Sequence, residues 1–205
     1  MSLRKIASSA LLSFAFITSA VMADPAINQA APNFTGKTAD GKTVDLASLK
    51  GKTVVLEWTN HQCPFVIKHY DRSSNIPKLQ KEATADGVVW LQVISSAPDA
   101  EGFVDGPTAL KANQFREAAP TSVVLDPTGA IGHLYGAKTT PHLFIINPKG
   151  ELVYKGGIDS IKSTKAEDIP QATNYVREAL TALKQGKPVP NPVTAPYGCS
   201  VKYAS

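Results

Sequence analysis

The run Thr53-Val54-Val55-Leu56-Glu57-Trp58-Thr59 is β-branched and apolar along most of its length. It stops just short of Asn60-His61-Gln62-Cys63-Pro64. A strand of this kind is buried on both faces, so the chain must lay structure over both sides of a sheet. Similar runs follow at residues 88–94, 122–125 and 142–147. Between them the sequence predicts a helical region from Pro64 to before Gly87, which Pro77 kinks or splits. It also predicts a helix over residues 107–118 and a helical turn over 131–135 closed by Gly136. Asn147-Pro148-Lys149-Gly150 turns the fourth strand into a hairpin with residues 151–155, and a last helix is expected from Asp168 to Gln185. The order β-α-β-α-β, then hairpin and helix, implies an α/β fold with a mixed central sheet flanked by helices.

Shorter signals complete the domain. Asp40-Gly41 marks a turn before a strand at residues 42–44, and Asp45 caps a helical turn through Leu49 that Gly51 ends. Residues 24–32 are small and polar and read as a loose arm. Pro188, Pro190, Pro192 and Pro196 predict an extended tail with little internal hydrogen bonding. The organisation expected is a leader over 1–23, a folded domain over 24–185, and a tail over 186–205 that carries Cys199.

The leader expectation rests on Arg4 and Lys5, an apolar stretch to Ile17, and small residues ending Val21-Met22-Ala23. This is the pattern of an export signal cleaved after Ala23, with an uncleaved anchor helix as the other reading. A periplasmic or secreted protein follows, in a compartment that favours disulfides. After cleavage no stable membrane span is expected. Lys and Arg outnumber Asp and Glu by 21 to 17 over the whole chain. The leader holds two of those bases and no acid, and no basic stripe remains to bind nucleic acid. With 43% hydrophobic and 19% charged residues the chain can bury a core, which excludes wholesale disorder. Two cysteines are too few for a disulfide framework or a four-cysteine zinc site.

Cys63 falls where a buried strand meets a helix N-terminus. Unpaired backbone N–H groups there favour a thiolate, which is the reactive form; an inert buried thiol is the alternative. His61, if protonated and close, would lower the thiol pKa further. Trp58 flanks the site or simply packs. Lys68, His69, His133 and Arg116 read as polar or solvated side chains.

The stretch Trp58-Thr59-Asn60-His61-Gln62-Cys63-Pro64-Phe65-Val66 resembles the active-site segment of peroxiredoxin-like proteins of the alkyl hydroperoxide reductase/thiol-specific antioxidant group. Ala31-Pro32-Asn33-Phe34, Lys50-Gly51-Lys52, Asp126-Pro127-Thr128-Gly129 with Tyr135-Gly136, Thr140-Pro141 and the ending Gly198-Cys199-Ser200-Val201-Lys202 extend the likeness. The resemblance implies a thioredoxin-like fold and a thiol oxidoreductase or peroxidase. Cys63 would attack a peroxide or a protein disulfide, and an unidentified thiol would restore it. Asn60, His61, Thr140 and Pro141 would shape the site, Pro141 as a cis-proline. Cys199 would resolve the oxidised Cys63, form a static disulfide with it, or stay free. Val66 stands where thioredoxins have their second cysteine, and Asn60 where peroxiredoxins have a threonine; Arg116 is a weak candidate for the arginine that orients peroxide in that family, and reads first as a solvated helix residue. No cofactor is implied. The competing reading is a binding module without catalysis, such as a copper carrier using His61, Cys63 and His142.

Overall fold

A computed structural model describes residues 24–204, so the leader expected over 1–23 lies outside the described residues. The chain forms β1 (Thr35–Thr38), β2 (Thr43–Asp45), a 3-10 turn (Leu46–Leu49), β3 (Val54–Trp58), α1 (Pro64–His69) and α2 (Asn75–Ala85). There follow β4 (Val89–Ile94), α3 (Gly106–Phe115), β5 (Ser122–Leu125), α4 (Ala130–Tyr135), β6 (Thr139–Thr140), β7 (His142–Ile146) and β8 (Leu152–Gly156). A second 3-10 turn (Ala166–Gln171), α5 (Tyr175–Lys184) and β9 (Cys199–Ser200) close the chain.

One sheet runs in the order β2-β1-β5-β4-β3-β7-β8. β3, β4 and β5 are parallel, and the other neighbours are antiparallel. β3 sits inside this sheet with all five residues buried, as its composition requires. Its residues alternate between two cores. Val55 packs with Val66, Tyr70, Leu79 and Val176 from α1, α2 and α5. Leu56 and Trp58 pack with Ile131 and Tyr135 of α4 and with Phe144. The expected mixed sheet flanked by helices is what the chain builds, and it has the thioredoxin-like arrangement.

Several local expectations shift. The helical region after Cys63 is split, but ahead of Pro77 rather than at it: Ser74 takes φ +54° and α2 restarts at Asn75. Pro77 then lies in the first turn of α2, where a missing N–H leaves no helix bond unmade. The last helix begins at Tyr175, where the Asn174 side chain accepts from Arg177 N, and Pro170 confines the preceding residues to a 3-10 turn. β1 was not legible, because its inward positions are Gly36 and Thr38. Gly36 is needed there, since a Cβ would come within 2.6 Å of Val124 Cγ1.

The arm over residues 24–32 is not loose. Asn28 N donates to Leu152 O (2.7 Å), Ala31 N to Gly150 O (2.9 Å), and Leu152 N to Gln29 O (2.9 Å). The tail is extended as expected, yet its backbone is bonded to the domain. Lys155 N donates to Pro192 O (3.0 Å) and Thr194 N to Lys155 O (3.1 Å). Arm and tail together cover the β8 edge, which would otherwise present unpaired backbone groups. Among the described residues no helix is long and apolar enough to cross a membrane.

Candidate active site

The turn that leaves β3 is built by Asn60. Its Oδ1 accepts from Gln62 N (2.8 Å), its carbonyl accepts from Cys63 N (3.1 Å), and its Nδ2 donates to Glu101 O (3.3 Å). Cys63 thereby becomes the N-cap of α1, with Pro64 at the first helical position. Arg116 fastens the same turn from α3. Its Nη2 donates to His61 O (2.8 Å) and its Nε pairs with Asp71 Oδ1 (2.9 Å). The expectation of a solvated Arg116 is therefore wrong, because its guanidinium also lies over the Tyr70 ring at 5.6 Å.

The second cysteine arrives by strand pairing. β9 runs antiparallel to β6, with Cys199 opposite Thr140 and Ser200 opposite Thr139. The two sulfurs lie 2.8 Å apart, and Cys63 Sγ is 3.1 Å from Thr140 O. Both cysteines are free; Cys63 is fully buried and Cys199 half-buried. The Thr140–Pro141 peptide is cis. Cys63, Thr140, Pro141 and Cys199 thus come together from segments far apart in sequence. The Thr140 hydroxyl is buried and makes no hydrogen bond of its own. Gly198 has φ +137°, and a Cβ there would run into Thr140 O.

The two thiols are electrostatically unequal. Burial pushes the Cys63 pKa up, but the Cys199 thiol and the backbone amides of Val66 and Cys199 outweigh it, so the net shift is downward. Burial and the neighbouring Cys63 charge push the Cys199 thiol up to about 12. Cys63 is therefore the more acidic thiol of the pair and the one that ionises first. Alkylation of Cys63 should reach half its maximal rate below the ordinary thiol range, measured as a pH profile with a charged alkylating agent on wild-type protein, the alkylated site being read by peptide mass. A midpoint at or above pH 9 would contradict the assignment.

His61 does not supply a positive charge. Burial and the Arg116 charge lower its pKa, so its ring is neutral at pH 7, and only its backbone carbonyl is engaged by Arg116. The metal set His61, Cys63 and His142 is not assembled. Among the described residues no group of three or more His, Cys, Asp or Glu is placed to hold a metal ion. His142 is buried in β7 beside Phe144, and its Nδ1 accepts from Lys138 N (3.2 Å). Trp58 packs in the core, with Nε1 donating to Ser95 Oγ (3.0 Å). Lys68, expected on a solvated face, and His69, expected as a polar side chain lining a cleft, are fully buried. His133 stacks on Tyr203 of the tail.

Two clusters escaped the sequence reading. Glu57 is fully buried and accepts from Tyr70 Oη (2.6 Å), Gln80 Nε2 (3.0 Å) and Trp90 Nε1 (2.7 Å). Burial raises its pKa to about 7 against these donors. An acid inside an otherwise apolar strand was the available signal. The second cluster holds Tyr197, two residues before Cys199. Its hydroxyl donates to Asp159 Oδ1 and faces His69 Nε2 at 3.1 Å. Lys68 Nζ lies 3.8 Å from Asp159 Oδ2.

Comparison with solved structures finds the same fold repeatedly. A hypothetical protein from Sinorhizobium meliloti aligns at 20% identity over 88% of this chain and 96% of its own, with a TM-score of 0.73. An uncharacterized conserved protein from Geobacillus kaustophilus aligns at 24% identity over 87% and 93%, with a TM-score of 0.70. A provisionally named thiol:disulfide interchange protein DsbE from Chlorobium tepidum aligns at 23% identity over 64% and 84%, with a TM-score of 0.52. No curated protein matches the sequence. At these identities the likenesses speak for the fold alone. The sequence-family match goes further: the AhpC/TSA model covers residues 27–155, from the N-terminal arm through the cysteine turn and the cis-proline to β8, and the chain belongs to that family.

Proposed function

We propose that the chain is an exported thiol oxidoreductase with a two-cysteine cycle. The Cys63 thiolate attacks one sulfur of a partner disulfide. A new S–S bond forms, the partner's own bond breaks, and its second sulfur leaves as a thiolate that takes a proton. The Cys199 thiol, deprotonated as it attacks, then displaces the partner from Cys63. The products are a Cys63–Cys199 disulfide and a partner dithiol, and an external thiol reduces the chain again. A hydroperoxide is the alternative oxidant, giving a Cys63 sulfenic acid that Cys199 converts to the same disulfide with loss of water.

The observation that carries this reading is the 2.8 Å approach of Cys199 Sγ to Cys63 Sγ on a strand pair. The seated tail already holds Cys199 against Cys63, although the cysteines do not form a local pair. The commitment of Arg116 to His61 O and Asp71 favours a disulfide over a peroxide, because it leaves that guanidinium engaged with protein rather than with an oxidant. Export rests on the basic, apolar and small-residue blocks of residues 1–23.

Peptide mapping of the mature protein tests the cycle. One equivalent of oxidised glutathione or hydrogen peroxide should convert the reduced chain to a Cys63–Cys199 linked pair, with the mature N-terminus at Asp24. A Cys63 that stays a free, slowly reacting thiol under both oxidants would reject the function.

A further inference from the structure

The strand that delivers Cys199 is read side chain by side chain. The Tyr197 ring packs edge-on against Phe65, with centroids 5.7 Å apart. His69 Nδ1 faces the Asn75 amide at 2.9 Å, which donates to it, so Nε2 carries the ring proton and donates to Tyr197 Oη at 3.1 Å. The Tyr197 hydroxyl in turn donates to Asp159. His69, Asp159 and Tyr197 are all buried, so this is a closed pocket for a phenol. At the next position there is room for no side chain, because a Cβ on Gly198 would strike Thr140 O. Cys199 then meets Cys63. Beyond it the grip is on the backbone: Ser200 pairs with Thr139, and Val201 N donates to Lys138 O (3.1 Å).

Cys63 is fully buried while this strand is seated. Cys199 Sγ now occupies the approach to Cys63 Sγ at 2.8 Å, and a partner segment that presents its sulfur in that place meets the same walls. We infer that the groove along β6 is a recognition site for an extended polypeptide segment of the form aromatic–Gly–Cys on a partner protein, and that the chain's own tail fills it in the free state. The partner segment adds as an antiparallel strand to Thr139–Thr140, with backbone bonds supplying affinity and the two positions before the cysteine supplying selection. One strand fits at a time, so the tail leaves to admit the partner and returns to release it. This deepens the two-cysteine reading and rests on it.

The test uses the full chain, reduced, carrying Gly198→Val and Cys199→Ser so that its own tail cannot seat. The probes are peptides copying residues 193–203 as mixed disulfides with thionitrobenzoate. Attack by Cys63 on the peptide sulfur forms the protein–peptide disulfide and releases thionitrobenzoate, the better leaving group, which is read by absorbance. The native peptide should react at least about tenfold faster than peptides carrying Tyr197→Ala or Gly198→Ala. The mixed disulfide of glutathione gives the unselective rate. If the double variant fails to fold, Cys199→Ser alone gives the same ratios, because its tail slows every peptide equally.

Equal rates for all peptides and glutathione would overturn the recognition site while leaving Cys63 a redox thiol. No release from any probe would overturn the oxidoreductase reading itself. A tail-exchanged dimer of the wild-type chain on gel filtration would give the groove to a second copy and overturn the partner assignment.

Discussion

Cys63→Ser should abolish thiol turnover, by on the order of 10³-fold or more, whereas Cys199→Ser should permit one attack and then stall. The two cysteines touch, yet the geometry gives them different work. Cys63 caps α1 at the end of β3 with its pKa drawn down, so it is the more acidic of the pair. Cys199 holds its proton, pushed up to about 12, and cannot open the cycle. In Cys199→Ser protein one equivalent of a disulfide oxidant should be consumed in a burst. Intact-mass analysis should then find the oxidant's thiol still attached at Cys63, because nothing on the chain can displace it. Stopped-flow measurement of that burst, followed by the mass, checks both halves. Steady turnover by Cys199→Ser at the wild-type rate would remove Cys199 from the resolving role, and a surviving rate in Cys63→Ser would move the chemistry elsewhere.

The parts of this arrangement that the sequence disclosed are those written in local pattern. A both-faces-buried strand such as Val54–Trp58 is apolar at every step but one, and a cysteine followed by proline at its end marks a helix start. Those signals were enough to place Cys63. Thr140 and Pro141 came from family resemblance, since X-Pro in sequence leans only ~5–6% toward cis. The errors fall where a polar side chain finds a partner far along the chain. Arg116 and Lys68 were read as solvent-facing and His69 as lining a cleft, but the carbonyl of His61, the carboxylate of Asp159 and the hydroxyl of Tyr197 lie on other segments. The tail misled for the same reason. Its prolines predict an extended chain and say nothing of where that chain docks. The docking is set by Gly198 against Thr140 O, and by Gly156, where a Cβ would come within 2.6 Å of Thr194 O. A glycine read alone carries no such address.

Glu57→Gln should change how stability depends on pH between 4.5 and 8. The wild-type carboxyl sits in full burial, and its pKa is raised from 4.5 to about 7. A folded pKa above the unfolded one means that the fold binds the proton more tightly than the open chain does. The stability this contributes is fully present below pH 4.5 and is lost as pH rises to about 7, a change on the order of 3 kcal/mol. His69 and His142 act in the opposite sense. Burial lowers both to about 3, so they are neutral in the fold and destabilise it as pH falls below the unfolded histidine value. The wild-type profile mixes these slopes, and the difference between wild type and Glu57→Gln isolates the carboxyl. Glutamine keeps an oxygen for Trp90 and Gln80 but turns an amide toward Tyr70 Oη, which already accepts from Gln80 Nε2 and Gln92 Nε2, so the variant starts less stable and the pH-dependent part of the difference is what is read. Thermal unfolding from pH 4.5 to 8 should show wild type losing roughly 5–10 °C relative to the variant as pH rises. A difference that stays constant over that range would mean Glu57 is ionised throughout. The proton on Glu57 also bears on the site, because the carboxylate acts electrostatically on Arg116, and Arg116 holds the carbonyl of His61 in the turn that presents Cys63.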